Sequence, residues 1–274
     1  MTPNRPVSIA VAPNGGRKTR ADHPALPMTA AELARVAGLC LEAGASMIHV
    51  HVRDHEGRHL LDADAYRAAL GAITQTVGDG LVIQITSESL GMYTPAQQMH
   101  VVREVRPEAV SLALRELLPD ERAEAEFGAF LHWISQEKVA PQFILYSPDE
   151  AVRLAELHAR GLIPFERLSV LYVLGRYTAS QTSDPADLLP FLGESMPRFS
   201  HWSTCAFGRG EAACVLTAAL LGGNIRVGFE NNLLLPDGRT AGGNEELVEA
   251  ARYCVVRLGY RTATAAELRA DWQS

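Results

Sequence analysis

Short runs of β-branched and apolar residues alternate with longer helical patterns along almost the whole sequence. Repeated strand-then-helix units favour a parallel sheet, and eight of them in 274 residues predict one (β/α)8 TIM barrel, an α/β fold, as a single domain over residues 1–274. An open doubly wound sheet is the alternative, but no G-x-G-x-x-G follows the first strand. The predicted strands are Val7–Ala12, Met47–Val52, Leu81–Thr86, Ala109–Leu114, Gln142–Tyr146, Leu168–Val173, Phe199–Cys205 and Ile225–Phe229.

Capping residues, in addition to hydrophobic periodicity, indicate where the helices begin. Thr29 is followed three residues later by Glu32, as in a capping box, and Thr94 and Ser147 each precede a proline at the first helical position. The predicted helices are Ala30–Glu42, Asp64–Val77, Pro95–Arg106, Glu121–Gln136, Asp149–Arg160, Pro185–Leu192, Glu211–Leu221 and Asn244–Leu258.

Composition argues against several classes of partner. A formal net charge of −7 supplies no basic surface for a nucleic acid, so we expect none as a partner. The sequence has no run of roughly 18 uncharged apolar residues and no secretory signal pattern at its start, which predicts a cytoplasmic protein without a membrane partner. The four cysteines show no C-x-x-C spacing and are expected to be buried, reduced thiols.

Two histidines stand two residues apart in the second predicted strand. Alternation along a strand places His49 and His51 on one face, which is half of a metal site. The last strand offers a third ligand, because Arg226, Gly228 and Glu230 share a face and Glu230 stands at the carboxyl end. Two histidines and a glutamate form the ligand set of several catalytic zinc centres. The alternative is a pair of core histidines, with Glu230 bonded to Arg226.

Two loops could bind anions. The long connection after the first strand carries Arg17, Lys18 and Arg20 at the face where barrels place their function. After the seventh strand, the N–H groups of Gly208 and Gly210 could hold a phosphate, with charge added by Arg209. A solvated loop and an ordinary glycine turn remain the alternative interpretations.

Three segments together resemble the β-keto acid cleavage enzymes, the family of 3-keto-5-aminohexanoate cleavage enzyme. They are Val11-Ala-Pro-Asn-Gly-Gly16 with the following His23-Pro-Ala-Leu-Pro27, the HVHVRD segment from His49 to Asp54, and Arg226-Val-Gly-Phe-Glu-Asn-Asn232. The resemblance extends over nearly the whole chain. The combination of HxHxRD with RVGxE is far more specific than either motif alone.

The resemblance implies a TIM barrel with Zn²⁺ or another divalent metal held at the positions of His49, His51 and Glu230. It also implies a reaction between a β-keto acid and acetyl-CoA that yields a new CoA ester and acetoacetate. The metal would polarise the 3-keto oxygen and acidify C2. Arg226 matches the family arginine near the proton-transfer centre, and the family members are generally oligomeric, so we expect a homodimer or homotetramer.

One departure from the family concerns the base. The family commonly has an aspartate after the metal-binding glutamate, whereas this chain has Asn231, which can orient a water or an arginine but cannot accept a proton. Asn231 and Arg226 therefore remain candidate catalytic residues. Glu88 is our candidate base, with Asp54 and Glu116 as alternatives near other strand ends.

Further departures concern the substrate. Asn14 replaces the family's amine-recognising glutamate, and the fifth strand lacks an acidic motif. Thr86 and Ser87 keep the hydroxyl-rich character expected around a substrate carboxylate, while Ser111 lies in a segment that has mostly lost it, and Arg115 could bind the carboxylate instead. These changes predict a neutral or apolar β-keto acid rather than an amino-substituted one, unless they are drift within one specificity.

Three other functions remain open on the sequence alone. An amidohydrolase-type metal hydrolase also uses HxH in a barrel, but normally has further ligands on the middle strands. A divalent-metal aldolase would cleave a hydroxy-keto substrate without a thioester. A barrel that serves only for binding or assembly would use none of this chemistry.

Overall fold

The computed structural model describes residues 5–273, in which eight parallel strands close into a barrel. Each barrel strand pairs with the next along the chain, and the last pairs with the first through Ile225–Ile9, Arg226–Ala10 and Val227–Val11. This confirms the predicted TIM barrel and excludes an open sheet. The barrel strands are β1 Ile9–Val11, β2 Met47–Val50, β3 Val82–Thr86, β4 Ala109–Ala113, β5 Ala140–Leu145, β6 Ser169–Leu174, β7 His201–Ala206 and β8 Asn224–Val227.

Most helices lie where capping and periodicity predict them, with two differences. The segment predicted as Glu121–Gln136 begins with a 3₁₀ turn at Glu121–Ala123, and Pro185–Phe191 is a 3₁₀ helix rather than an α-helix. Pro190 lies inside that second segment, where it has no N–H to donate to a regular α-helix. The α-helices are Ala30–Ala43, Ala63–Val77, Pro95–Val105, Leu114–Leu117, Glu124–Gln136, Pro148–Ala159, Glu211–Leu220, Asn244–Arg257 and Ala265–Gln273.

The last helix, Ala265–Gln273, closes the amino-terminal end of the barrel and was not predicted. Its Ala265 and Leu268 pack against residues at the starts of the strands, including Met47 and Val82. Arg269 fastens it by donating hydrogen bonds to the backbone oxygens of Asp79 at 2.7 Å and Leu81 at 2.8 Å. With this end closed, the carboxyl ends of the strands are left for a site. No helix in residues 5–273 is long and apolar enough to span a bilayer.

Four short strands were also not predicted as separate elements. Val52–Arg53 pairs antiparallel with His59–Leu60, so β2 ends at Val50 and His51 lies between two strands. Pro6–Val7 pairs with Arg261–Thr262 outside the barrel. The prediction that both histidines belong to one strand was therefore wrong in its boundary.

The end of β8 depends on a glycine. The strand stops at Val227, two residues before its predicted end, and Gly228 adopts a φ of +134°. A Cβ atom there would lie 2.4 Å from the backbone oxygen of Ala12. The chain then turns, and the N–H of Glu230 donates a 3.0 Å hydrogen bond to that same oxygen. Glu230 therefore reaches the barrel mouth through a turn, not through strand alternation.

Gly228→Ala is expected to destabilise the fold by at least about 2 kcal/mol, because positive φ and the clash with Ala12 act together. Gly71→Ala is the matched control, since a Cβ at this helical position meets nothing within 4 Å. That control should gain about 0.5–1 kcal/mol. Urea unfolding of both variants measures the difference, and equal stabilities would contradict this account of the turn.

Candidate active site

His49, His51 and Glu230 bring three donor atoms together at the carboxyl end of the barrel. The Nε2 atoms of the two histidines are 3.2 Å apart, and Oε2 of Glu230 lies 3.3 Å from Nε2 of His51 and 3.7 Å from Nε2 of His49. Both imidazoles are 1% exposed, and Oε2 of Glu230 is buried without a hydrogen bond. Three converging donor atoms of this kind can ligate a single divalent cation.

A line of polar side chains inside the barrel orients His49. Nδ1 of His49 lies 2.7 Å from Oε1 of Gln84, which can only accept, so this nitrogen carries the proton and Nε2 presents its lone pair. Gln84 in turn donates to Oε1 of Gln142 at 3.3 Å, and Gln142 donates to Oγ of Ser169 at 3.4 Å. Burial lowers the pKa of His49 to about 3, so the imidazole is neutral, the form that binds metals.

Arg226 keeps Glu230 ionised. Its Nη2 donates a 2.7 Å hydrogen bond to Oε1 of Glu230, which leaves Oε2 to face the histidines. Burial alone would raise the pKa of Glu230, but the Arg226 guanidinium and the neighbouring His51 hold it well below its usual range. The Glu230 carboxylate and the His49 imidazole therefore have the protonation states that a divalent cation requires.

A cavity of about 250 Å³ opens beside these ligands. A smaller space below it is lined by both histidines, Arg226 and Tyr146, and the two spaces share Glu88, Arg176, Phe207 and Glu230. The lining of the larger cavity mixes cationic, acidic and aromatic side chains. Six of its members are Asn14, Lys18, Glu88, Arg176, Phe207 and Glu230.

Arg53 holds the loop that forms one wall of this cavity. Its guanidinium donates to the backbone oxygens of Gly15 at 3.0 Å, Lys18 at 2.9 Å and Gly57 at 2.7 Å. The side chain is buried, at 8% exposed, and is satisfied by backbone carbonyls. Arg53 thus joins the loop after β1 to the turn of the short hairpin after β2.

Comparison with known proteins places the chain in a family. The model of the beta-keto acid cleavage enzyme family matches residues 6–272. The chain belongs to this family. The resemblance drawn from three segments of the sequence is thereby confirmed.

The chain is similar to several enzymes along nearly its whole length. It is 29% identical over 273 residues to the 3-keto-5-aminohexanoate cleavage enzyme of Fusobacterium nucleatum subsp. nucleatum, covering 95% of each chain. It is 24% identical over 273 residues to the 3-oxoadipate:acetyl-CoA acetyltransferase of Cupriavidus necator, covering 97% of this chain and 94% of the other. The apo structure of ObcA shares the fold with a TM-score of 0.71 at 18% identity, over 91% of this chain and 66% of that one.

Among the candidate bases for this β-keto acid cleavage family member, only Glu88 lines the cavity. Its Oε2 lies 4.0 Å from Nδ1 of His51, and burial raises its pKa. Asp54 instead accepts from Arg58, and Glu116 accepts from the N–H of Ser89 and from Gln98. The side-chain amide of Asn231 is buried without a hydrogen bond.

Two of the predicted substrate-binding residues line these spaces. Asn14 lines the larger cavity, although its Nδ2 is already bonded to the backbone oxygens of His51 at 2.9 Å and Pro27 at 3.0 Å. Its Oδ1 has no partner. Thr86 lines the smaller space, where its hydroxyl accepts from the N–H of Glu88 at 3.0 Å. Both side chains therefore also brace residues of the site.

The other three predicted substrate ligands are not among the residues that line either space. Ser87 donates its hydroxyl to the backbone oxygen of Ser111 at 2.8 Å, and the hydroxyl of Ser111 is buried without a partner. Arg115 donates to Glu150 at 2.6 Å and stacks on Tyr146, so its guanidinium is engaged elsewhere.

The glycine loop after β7 is shaped by packing. A Cβ at Gly208 would lie 2.6 Å from the backbone oxygen of Gln181, and one at Gly210 would lie 2.1 Å from that of Ser183. The N–H of Gly208 already donates to the backbone oxygen of Asn231 at 3.1 Å. Arg209 is exposed beside this loop. A role for these residues in binding CoA phosphates stays a prediction.

Sequence reasoning missed Gln84, Arg53 and Arg176. Gln84 carried a signal, because an amide inside a predicted barrel strand next to HxH must find a buried polar partner. Arg176 follows Gly175 at the end of β6, the face where barrels place function. Arg53 was quoted within the motif, but only the structure shows what it binds.

Gln84→Leu is expected to weaken metal binding about 10- to 100-fold, because His49 loses the acceptor that fixes its Nδ1 proton. Titration of the apoprotein with Zn²⁺ against a competing chelator measures the affinity. Gln98→Leu is the control, since Gln98 is also a buried glutamine but does not contact the histidines. Equal Zn²⁺ affinity in wild type and Gln84→Leu would contradict this role.

Glu211 makes stability depend on pH. It is 1% exposed beside Asn232, and burial raises its pKa to about 8. Because the folded state holds this proton more tightly than the unfolded chain, its contribution is full below the unfolded pKa and is lost as pH rises through about 8. Melting temperatures between pH 6.5 and 8.5 should fall less in Glu211→Gln than in wild type; parallel curves would contradict this.

Proposed function

We propose that this chain is a zinc-dependent β-keto acid cleavage enzyme that uses acetyl-CoA as its co-substrate. The single observation that supports it most is the convergence of His49, His51 and Glu230 beside a cavity of about 250 Å³, in a chain that belongs to this family. These three residues would hold the Zn²⁺, which when bound supplies Lewis-acid polarisation of the 3-keto oxygen.

The proposed reaction conserves every atom of its two substrates. C2 of the β-keto acid loses a proton and forms a bond to the acetyl carbonyl carbon, while the C–S bond of acetyl-CoA breaks. The CoA sulfur bonds to C3, the C2–C3 bond breaks, and the proton returns to C2 of the released acetoacetate. The products are acetoacetate and a CoA ester of the remaining carbon chain.

Two side chains would move the proton and stabilise charge. Glu88 would remove the C2 proton, because its carboxylate lines both spaces and stands 4.0 Å from His51. Arg226, which is 3% exposed and has an unpaired Nε, would stabilise negative charge on the reacting oxygens. Asn231 would orient neighbouring groups without taking a proton.

We propose further that the substrate carries no ammonium group. Three cations, Arg17, Lys18 and Arg176, line the cavity and would repel one. Of the three acidic residues in the lining, Glu230 is bonded to Arg226, Asp22 accepts from the N–H of Thr19 at 2.7 Å, and Glu88 is the proposed base. The uncharged substituent expected from the sequence stays a prediction. The cations that line the cavity favour an anionic substituent instead.

The amidohydrolase alternative has less support. Within residues 5–273, the histidine, cysteine and acidic groups that converge as metal ligands are these three residues only. β5 and β6 therefore add no ligand of the kind that an amidohydrolase uses. A cytoplasmic location and a homodimer or homotetramer stay predictions.

His49→Ala and Glu230→Gln are each expected to lose bound metal and to lower acetoacetate release by at least about 1000-fold, because polarisation of the keto oxygen is worth several kcal/mol. Metal analysis and an acetoacetate assay with a panel of β-keto acids and acetyl-CoA measure both effects. His100→Ala is the control, because His100 is exposed on the helix Pro95–Val105. Full metal occupancy in both ligand variants would end the proposal, and turnover without CoA would favour a hydrolase or aldolase.

A further inference from the structure

We propose that the substrate of this enzyme carries a second carboxylate on the chain beyond the keto group, and that Arg176 and Lys18 bind it. The inference rests on the proposed function, since it names the class of β-keto acid that the same site accepts. The observations behind it are the position of these two cations in the cavity and the N–H donors that they leave without an acceptor.

Arg176 is a nearly buried cation that lacks hydrogen-bond acceptors. Its side chain is 10% exposed, and within residues 5–273 its guanidinium donates no hydrogen bond to the protein. The distance of 3.9 Å between Nη2 of Arg176 and Oε1 of Glu88 is too long for a hydrogen bond. A guanidinium has five N–H donors, and leaving them unsatisfied away from bulk water is costly. A carboxylate in the cavity would satisfy two of them side by side.

The local backbone fixes Arg176 in this place. Gly175 ends β6 with a φ of +77°, and a Cβ there would lie 2.7 Å from the backbone oxygen of Thr182. The loop after β6 therefore folds back tightly on itself. The guanidinium lies over the ring of Phe207, with Cζ at 5.2 Å from the ring centroid.

Lys18 approaches the same ring. Its Nζ lies 6.0 Å from the centroid of Phe207 and donates one hydrogen bond, of 2.7 Å, to the backbone oxygen of Glu230. An ammonium has three donors, so two remain for a ligand. Lys18 and Arg176 therefore both line the cavity and both approach the same aromatic ring.

The position of these cations suits the far end of a substrate. Glu88 stands beside both Arg176 and His51, since its Oε1 is 3.9 Å from Nη2 of Arg176 and its Oε2 is 4.0 Å from Nδ1 of His51. An anion held by both Lys18 and Arg176 would lie in the larger cavity, because Lys18 lines that cavity only and the two histidines line the smaller space only. Every β-keto acid has one carboxylate next to C2, and two cations with free donors can hold a second.

The test compares two substrates of equal chain length, 3-oxoadipate and 3-oxohexanoate, which differ in a terminal carboxylate. Wild-type enzyme should prefer the diacid in kcat/KM. Arg176→Met keeps an apolar stem against Phe207 and should lower kcat/KM for 3-oxoadipate about 100-fold, as expected for losing hydrogen bonds to a charged group. The kcat/KM for 3-oxohexanoate should change less than about 3-fold, because this substrate has no terminal carboxylate for Arg176 to bind. A change of that size is no larger than the effect of losing a weak surface contact.

Three further variants make the comparison specific. Arg176→Lys keeps the charge without the paired donors and should lose part of the preference. Lys18→Met tests the second cation, and it also tests the proposal if Arg176→Met fails to fold. Arg198→Gln is the control, because Arg198 is an exposed arginine ahead of β7, at the opposite end of the barrel.

A binding measurement separates this proposal from the proposed reaction. Adipate, which cannot react, should raise the melting temperature of wild type more than hexanoate does, and Arg176→Met should abolish the difference. If no β-keto acid yields acetoacetate, the proposed reaction fails, while the adipate result still decides the anion site. Equal losses for both keto acids would mean that Arg176 binds the carboxylate next to C2, and a raised KM for acetyl-CoA alone would assign it to CoA. Either result overturns the proposal.

Discussion

The carboxylate of Glu230 is the group on which the site depends, because its two oxygens serve different partners. Oε1 accepts from Arg226 at 2.7 Å, and Oε2 faces the two imidazoles without a hydrogen bond. An ionised carboxylate at this depth needs a compensating charge, and the guanidinium provides it. Arg226 therefore keeps the carboxylate ionised and leaves Oε2 available for a cation. Removing Arg226 would disturb the metal site as well as any contact with a substrate.

The sequence was sufficient for the fold but not for the ends of its strands. Eight strand-and-helix units can close only in a few ways, so the barrel followed from the pattern. Alternation of side chains holds only inside a strand, yet His51 and Glu230 both lie just outside one. They face the site because Gly228 turns the chain against Ala12 and because a short hairpin begins at Val52. Contacts of this kind join residues far apart in the chain, and no local pattern encodes them.

The same reason explains which site residues were predicted. A histidine pair and a carboxylate have a recognisable chemistry and spacing, so His49, His51 and Glu230 could be named as candidate metal ligands before the structure. A single arginine in the sequence has neither a diagnostic chemistry nor a diagnostic spacing. Arg115 was a reasonable carboxylate ligand until the structure paired it with Glu150, whereas Arg176 gave no signal except its place after a strand. Which of two arginines is free depends on long-range partners, and those appear only in the folded chain.

The proposed metal site and the proposed anion site lie on different elements of the fold, but hydrogen bonds link those elements. The proposed metal ligands stand at the ends of β2 and β8, whereas Lys18 and Arg176 stand on the loops after β1 and β6. Loops can change charge without moving the strands, which suits a family whose relatives are named for amino and for dicarboxylic substrates. The loop after β1 is not independent, however, because Arg53 bonds its carbonyls and Asn14 bonds the backbone of His51. A shift of Lys18 toward a bound anion would therefore be transmitted to the strand end that carries His51, a proposed metal ligand.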